Sequence, residues 1–134
     1  MQENWLPVVG YEGFYEVSDY GRVRSITREV PYGRFGRTIY KGRALKLTPI
    51  KSGYLTVKLA LRGHTRTTYV HDMVLRAFVG PRPFTVNKGE IRHLDGGKTN
   101  NTLRNLKYGD ILENAADRVR HKNERKQAEK ISFM

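Results

Sequence analysis

Arg92-His-Leu-Asp-Gly-Gly-Lys-Thr-Asn-Asn101, with Asn105-Leu-Lys-Tyr-Gly109 and Glu113-Asn114 after it, is the stretch on which the fold of this chain turns. Its pattern predicts a short strand over Glu90–Leu94, a polar loop over Asp95–Arg104 and a second strand over Asn105–Tyr108. Asp110 then opens a helix, with Glu113 three residues on as a capping-box-like partner. A strand–loop–strand–helix unit of this length can gather His93, Asn105 and Asn114 around one phosphate. Each residue type suits a task there. A neutral imidazole takes a proton from water near neutral pH. An amide holds a loop in shape without adding a competing charge, and an Asn oxygen ligates a hard cation such as Mg2+. In the helix, Ile111, Leu112, Ala115 and Val119 are expected to face inward, while Asn114, Asp117, Arg118 and His121 share another face. Gly97-Lys98-Thr99 imitates the end of a P-loop, but that motif needs Gly where Arg92 stands, and no helix follows directly. A nucleotide-binding reading is rejected.

Upstream the pattern is different. Val70, Met73, Val74, Ala77 and Phe78 make the stripe of a buried helix face, which Gly80 and Pro81 end. A connecting loop runs from Pro81 to Gly89. Before the helix, period-two alternation predicts a strand over Tyr54–Leu61, with Leu55, Val57, Leu59 and Leu61 on one face. Gly63 turns it into a returning strand over Thr65–Val70. Tyr15–Ser18 and Arg22–Thr27 read as two further short strands, and Gly33 to Gly36 as a loop or hairpin tip. His71, at the helix start, reads as a cap or packing residue. His64 reads as solvated or near phosphate, and His121 is open to a supporting or phosphate-binding role.

Composition bounds what such a chain can do. Its 134 residues suit one domain with at most a small appendage, and 38% are hydrophobic. No apolar run approaches the ~20 residues of a bilayer span, and the start, Met-Gln-Glu-Asn-Trp5, lacks the basic head and apolar core of a signal peptide. The absence of Cys excludes disulfides, zinc ribbons and thiol catalysis. A soluble intracellular protein is expected. The 25 Lys and Arg against 13 Asp and Glu leave a net charge of +12, which calls for a polyanion, nucleic acid before acidic membrane. Twelve of the cations and a single acid, Glu29, lie between Arg22 and Arg66, whereas the first 21 residues hold four acids and neither Lys nor Arg. A second basic cluster follows Asp117.

His93 to Asn101, Asn105 to Gly109 and Glu113-Asn114 together resemble the His-Asn-His (HNH) endonuclease motif in its phage and homing form, where Asn often stands for the last His. Trp5 to Ser25 is similar to the small modular segment that often precedes these nucleases, and Val70 to Pro83 to the helix and loop that join the two parts. The resemblance implies an α+β protein: a basic β-rich DNA-binding module (1–69), a connecting helix and loop (70–89), a ββα-metal nuclease core (90–122) and a charged tail (123–134). It implies a Mg2+- or Mn2+-dependent endonuclease that nicks or cuts double-stranded DNA as a monomer or homodimer in a phage host's cytoplasm, with no membrane partner. His93 would be the general base, Asn105 would tie the loop, and Asn114 would hold the metal. One position departs from the pattern: many relatives carry Asp or Asn, a second metal ligand, where this chain has Arg92. Either Arg92 clamps a phosphate and Asn114 holds the metal with phosphate and water, the arrangement favoured here, or Asp95 or Asp117 helps, or activity is weak or lost. The alternative function is a non-catalytic DNA-binding protein that keeps the scaffold. Charge places DNA contacts at Arg22, Arg24, Lys58, Arg62 and Arg66, and at Arg118 on the helix. Homing relatives often add a C-terminal helix-turn-helix; with the chain stopping at Met134 none is expected, so sequence preference is expected to be looser or to come from the basic N-terminal half.

Overall fold

Short strands and glycine turns build the N-terminal half. The structure, a computed structural model, describes residues 2–83, 90–109, 116 and 119–126. β1 (Trp5–Pro7), β2 (Tyr15–Ser18) and β3 (Val23–Ser25) form an antiparallel sheet in that order. Val17 lies opposite Val23, and both are fully buried, which fixes the inner face of the sheet. Among the described residues β4 (Arg28–Tyr32) and β5 (Gly36–Tyr40) pair only with each other, around the tip expected between Gly33 and Gly36. A third sheet joins β6 (Thr48–Pro49), β7 (Leu55–Leu61) and β8 (His64–Tyr69). Leu61 faces His64 across a two-residue loop in which Arg62 and Gly63 have φ of 51° and 80°, the left-handed pair that a tight hairpin needs.

Helix α1 (Val70–Phe78) is the pivot of the core. Its buried Val70, Met73, Val74 and Leu75 pack with Val8 just after β1, Val17 and Val23 of the first sheet, Val57 and Leu59 of β7, and Leu106 from the C-terminal hairpin. That hairpin is β9 (Glu90–His93) against β10 (Leu106–Gly109), with His93 opposite Leu106 and Arg92 opposite Lys107. Residues 119–126 are helical. The architecture is α+β, as expected, and no described helix is long and apolar enough to cross a membrane.

Several expectations are corrected. Val119 is 61% exposed instead of inward, because His121, two residues and about 200° further round the helix, takes the buried side. The strand expected over Arg22–Thr27 ends at Ser25, and β4 starts three residues on. Asn105 closes a 3-10 turn (Leu103–Asn105) instead of opening the second strand. Asp110, Ile111, Leu112, Glu113, Asn114, Ala115, Asp117 and Arg118 lie outside the described residues.

Candidate active site

His93 ends β9 at the mouth of the polar loop and is buried. Its Nε2 lies 2.8 Å from Asn101 Oδ1. With the amide oxygen assigned as the acceptor, Nε2 carries the proton and Nδ1 keeps the lone pair. Burial lowers the pKa of His93, opposed by the Asn101 hydrogen bond and the Asp95 charge, so the ring stays neutral at pH 7.

The loop is held from within. Asn105 Oδ1 accepts the Asp95 N–H (2.9 Å), while its Nδ2 donates to Asp95 Oδ1 (3.0 Å) and to the Asn100 carbonyl (2.7 Å). Asp95 Oδ1 also accepts the Gly97 N–H, and its Oδ2 accepts from Asn100 Nδ2. Desolvation pushes the Asp95 carboxyl up, but these hydrogen bonds and the facing His93 hold it below the usual carboxylate range. Three outside contacts brace the loop. Lys98 Nζ donates to the Ser52 carbonyl (2.8 Å) and lies 5.2 Å from the Tyr54 ring centre. The Leu103 N–H donates to the Asp19 carbonyl in the β2–β3 turn (2.8 Å). From the C-terminal helix, His121 Nε2 and Arg120 Nη2 both reach the Leu94 carbonyl, at 3.1 and 3.3 Å. The His121 ring covers Gly96, where a Cβ would stand 2.5 Å from Nδ1.

The sequence reading missed the other side of His93. The His71 ring centre is 5.2 Å away and that of Tyr54 is 5.8 Å away, with Tyr69 stacked on His71 at 5.1 Å. His71 does not cap α1; Tyr69 is the N-cap residue and makes no side-chain cap bond. Burial, helped by the neighbouring His93, drives the His71 pKa down to about 4, and its Nδ1 has no partner among the described residues. No signal in the spacing reveals this pairing, because only the tertiary fold brings the start of α1 to the hairpin.

The other expected residues are dispersed. Arg92 is half-buried, beside Lys107 and over Gly109. Arg22 pairs with Glu3, and Arg24 pairs with Glu16 (2.8 Å) and stacks on Trp5 at 3.9 Å. Lys58, Arg62 and Arg66 are exposed. Lys58 and Arg66 leave opposite faces of the β7–β8 hairpin, since Lys58 is opposite Thr67 and Arg66 opposite the buried Leu59.

A divalent cation can be tested against the donors present. The described residues contain no cluster of three His, Asp or Glu able to hold a metal. Both Asp95 carboxylate oxygens and Asn101 Oδ1 already accept hydrogen bonds. Among the described residues, this donor set does not fit a cation cage made wholly of protein.

This α+β chain, with a buried histidine on a braced hairpin behind a β-rich segment, is similar in sequence and fold to an HNH homing endonuclease of phage type. The NUMOD4 motif matches residues 3–60. The chain is 33% identical over 105 residues to DNA endonuclease I-HmuI of Bacillus phage SP01, a match covering 78% of this chain and 51% of that protein. It therefore spans about half the length of the curated relative it matches. The solved structure of DNA binding and cleavage by the HNH homing endonuclease I-HmuI superposes with a TM-score of 0.69 at 28% identity, covering 97% of this chain and 68% of that one.

Proposed function

We propose that this protein is a metal-dependent endonuclease that hydrolyses phosphodiester bonds in double-stranded DNA, with His93 as general base. The observation that carries this reading is the state of His93: buried, neutral, fixed through Nε2 by Asn101, and so ready to take a proton from water at Nδ1. Asn105 serves by positioning, since its hydrogen bonds set the loop that presents His93 and Asn101. Asn114 is assigned as metal ligand. Once bound, Mg2+ or Mn2+ would neutralise charge at the phosphate and the leaving 3′ oxygen.

Arg92 stands where many relatives have a ligand, and we assign it a phosphate clamp next to Lys107. Residues 1–69 act as the DNA-binding module, 70–89 as the connection, 90–122 as the nuclease core and 123–134 as a charged tail. Arg22, Arg24, Lys58, Arg62 and Arg118 are the proposed backbone contacts; Arg66, which charge alone also suggested, leaves the opposite face of the β7–β8 hairpin from Lys58 and is not among them. The likeness to I-HmuI supports DNA as substrate. The setting we propose is the cytoplasm of a host cell, with the protein acting as monomer or homodimer.

Purified protein is expected to convert supercoiled plasmid to open circle or linear form with Mg2+ or Mn2+ and to stop when EDTA is added. His93→Ala should lower the rate at least a hundredfold, and an unchanged rate would exclude His93 as the base. A second reading, a DNA-binding scaffold without catalysis, is favoured by Arg92 itself, which cannot ligate a cation. It requires salt-sensitive DNA binding with no metal-dependent cleavage between pH 6 and 9.

A further inference from the structure

Among the described residues, four aromatic rings meet where β7, β8, α1 and β9 converge. Tyr54 stands just before β7, Tyr69 ends β8, His71 lies in the first turn of α1 and His93 ends β9. Tyr54 is the hub, with its ring centre 6.2 Å from Tyr69, 5.2 Å from His71 and 5.8 Å from His93. Tyr69 stacks on His71 at 5.1 Å and 23°. Both histidines are buried.

The angles turn these contacts into a corner around His93. His71 meets the His93 ring edge to face, at 82°, whereas Tyr54 is tilted only 36° from it. The two walls stand at 61° to each other. Such a corner supplies what one hydrogen bond does not. Asn101 fixes His93 at a single point, Nε2, and the second side-chain torsion of a histidine is broad. The ring could therefore swing about that bond, and walls in two planes stop it. His71 Nδ1 has no partner among the described residues, so on that side ring packing holds His71 in place. Burial also keeps His71 neutral at pH 7. It therefore sets no like charge against the imidazolium that His93 becomes on taking a proton. The charged groups around the pair are Asp95 and Lys98 beside His93, and Asp72 and Arg82 beside His71.

We propose that His71 is a positioning residue for cleavage: with Tyr54 it holds the His93 imidazole in the plane where Nε2 meets Asn101 and Nδ1 is left to the attacking water. The inference rests on the reading of His93 as general base. His71 acts through His93 alone. A base that swings out of plane loses its alignment with the water, and a misplacement of about 1 Å can cost on the order of a hundredfold in rate.

His71→Leu and His71→Phe provide the test, because both fill the buried site with an apolar side chain and only Phe restores a flat ring against His93. With Mg2+ and supercoiled plasmid at varied concentration, His71→Leu should lower kcat about tenfold or more at an unchanged KM, and His71→Phe should recover to within about threefold of the wild type. Thermal melting checks that both variants are folded. Long-range proton–nitrogen correlation spectra, without metal or DNA and at about pH 8 where an ordinary imidazole is neutral, read the ring directly, with His93→Ala identifying its peaks. The wild type and His71→Phe should show His93 as a single Nε2–H tautomer, and His71→Leu as an average of two. An unchanged kcat or an unchanged tautomer in His71→Leu overturns the proposal. So does a His71→Phe as slow as His71→Leu, since the flat ring would then not be what matters. A wild type that cleaves no DNA with either metal overturns the reading of His93 as base instead, and the spectra alone then decide whether His71 holds its ring.

Discussion

His71 is an imidazole kept neutral by burial with one ring nitrogen unsatisfied among the described residues, and that has a cost the protein meets in acid. Its folded pKa of about 4 lies below the ordinary 6.5 of the unfolded chain. Between those values the unfolded chain binds a proton that the folded protein refuses. The contribution of His71 is therefore complete above pH 6.5 and is lost as pH falls toward 4, at roughly 1.4 kcal/mol per pH unit. Urea unfolding at stepped pH should show this slope, and His71→Phe, which keeps a ring against Tyr54, Tyr69 and His93, should flatten it. An equal slope in both proteins would mean that His71 is not the group being protonated. For His93 the lowered pKa has a kinetic counterpart: the acid limb of cleavage should lie below the pH of an ordinary histidine. The sequence made His93 legible through its motif. It could not show that His71 touches it, since a lone histidine at a helix start carries no information about what the helix packs against.

Among the elements, the polar loop is the one whose shape depends on parts of the chain far from it. Asn105 clamps it from within, and this was legible, because an amide after a polar loop invites such bonds. Its dock on the β2–β3 turn was not. There Gly21 takes φ +83°, and a Cβ at that position would stand 2.8 Å from both Cβ and the backbone oxygen of Asn101, the residue bonded to His93. Gly21→Ala therefore carries two penalties, the left-handed backbone and a clash with a neighbour that cannot yield without moving Asn101. A loss of about 1–3 kcal/mol in stability is expected, together with a fall in cleavage larger than the drop in folded fraction explains. Cleavage that merely follows the folded fraction would separate the turn from the site. Ribbon β4–β5 marks the opposite limit of legibility. Gly33 and Gly36 announced its tip, but its flanks alternate cations with apolar residues and bury neither face, so no period-two signal favoured a strand.

At the scale of the molecule, the net charge of +12 is redistributed by folding. The acidic first 21 residues do not stay apart from the basic stretch: Glu3 comes to Arg22 and Glu16 to Arg24, and the Arg22 hydrogen bond holds the Glu3 carboxyl low. Pairs this exposed add little to stability, but they cancel charge at a surface proposed to meet DNA. Composition gives the sum and cannot show which cations keep their charge to spare, or which way they face. The β7–β8 hairpin makes that difference measurable. Thr56 lies opposite Tyr69, and Tyr69 and Tyr54 touch edge to face, so this side of the hairpin leads to His71 and His93. Lys58, two residues beyond Thr56, points to the same side, whereas Arg66 lies opposite Leu59, on the side that carries the core. If a duplex lies across His93, Lys58 is within its field and Arg66 is turned away. Lys58→Ala should therefore reduce the salt dependence of DNA binding by about one in slope and weaken binding several-fold, while Arg66→Ala leaves the slope nearly unchanged. The reverse order would place the duplex on the α1 side of the hairpin, away from His93, and the proposed active site would then have to be sought elsewhere.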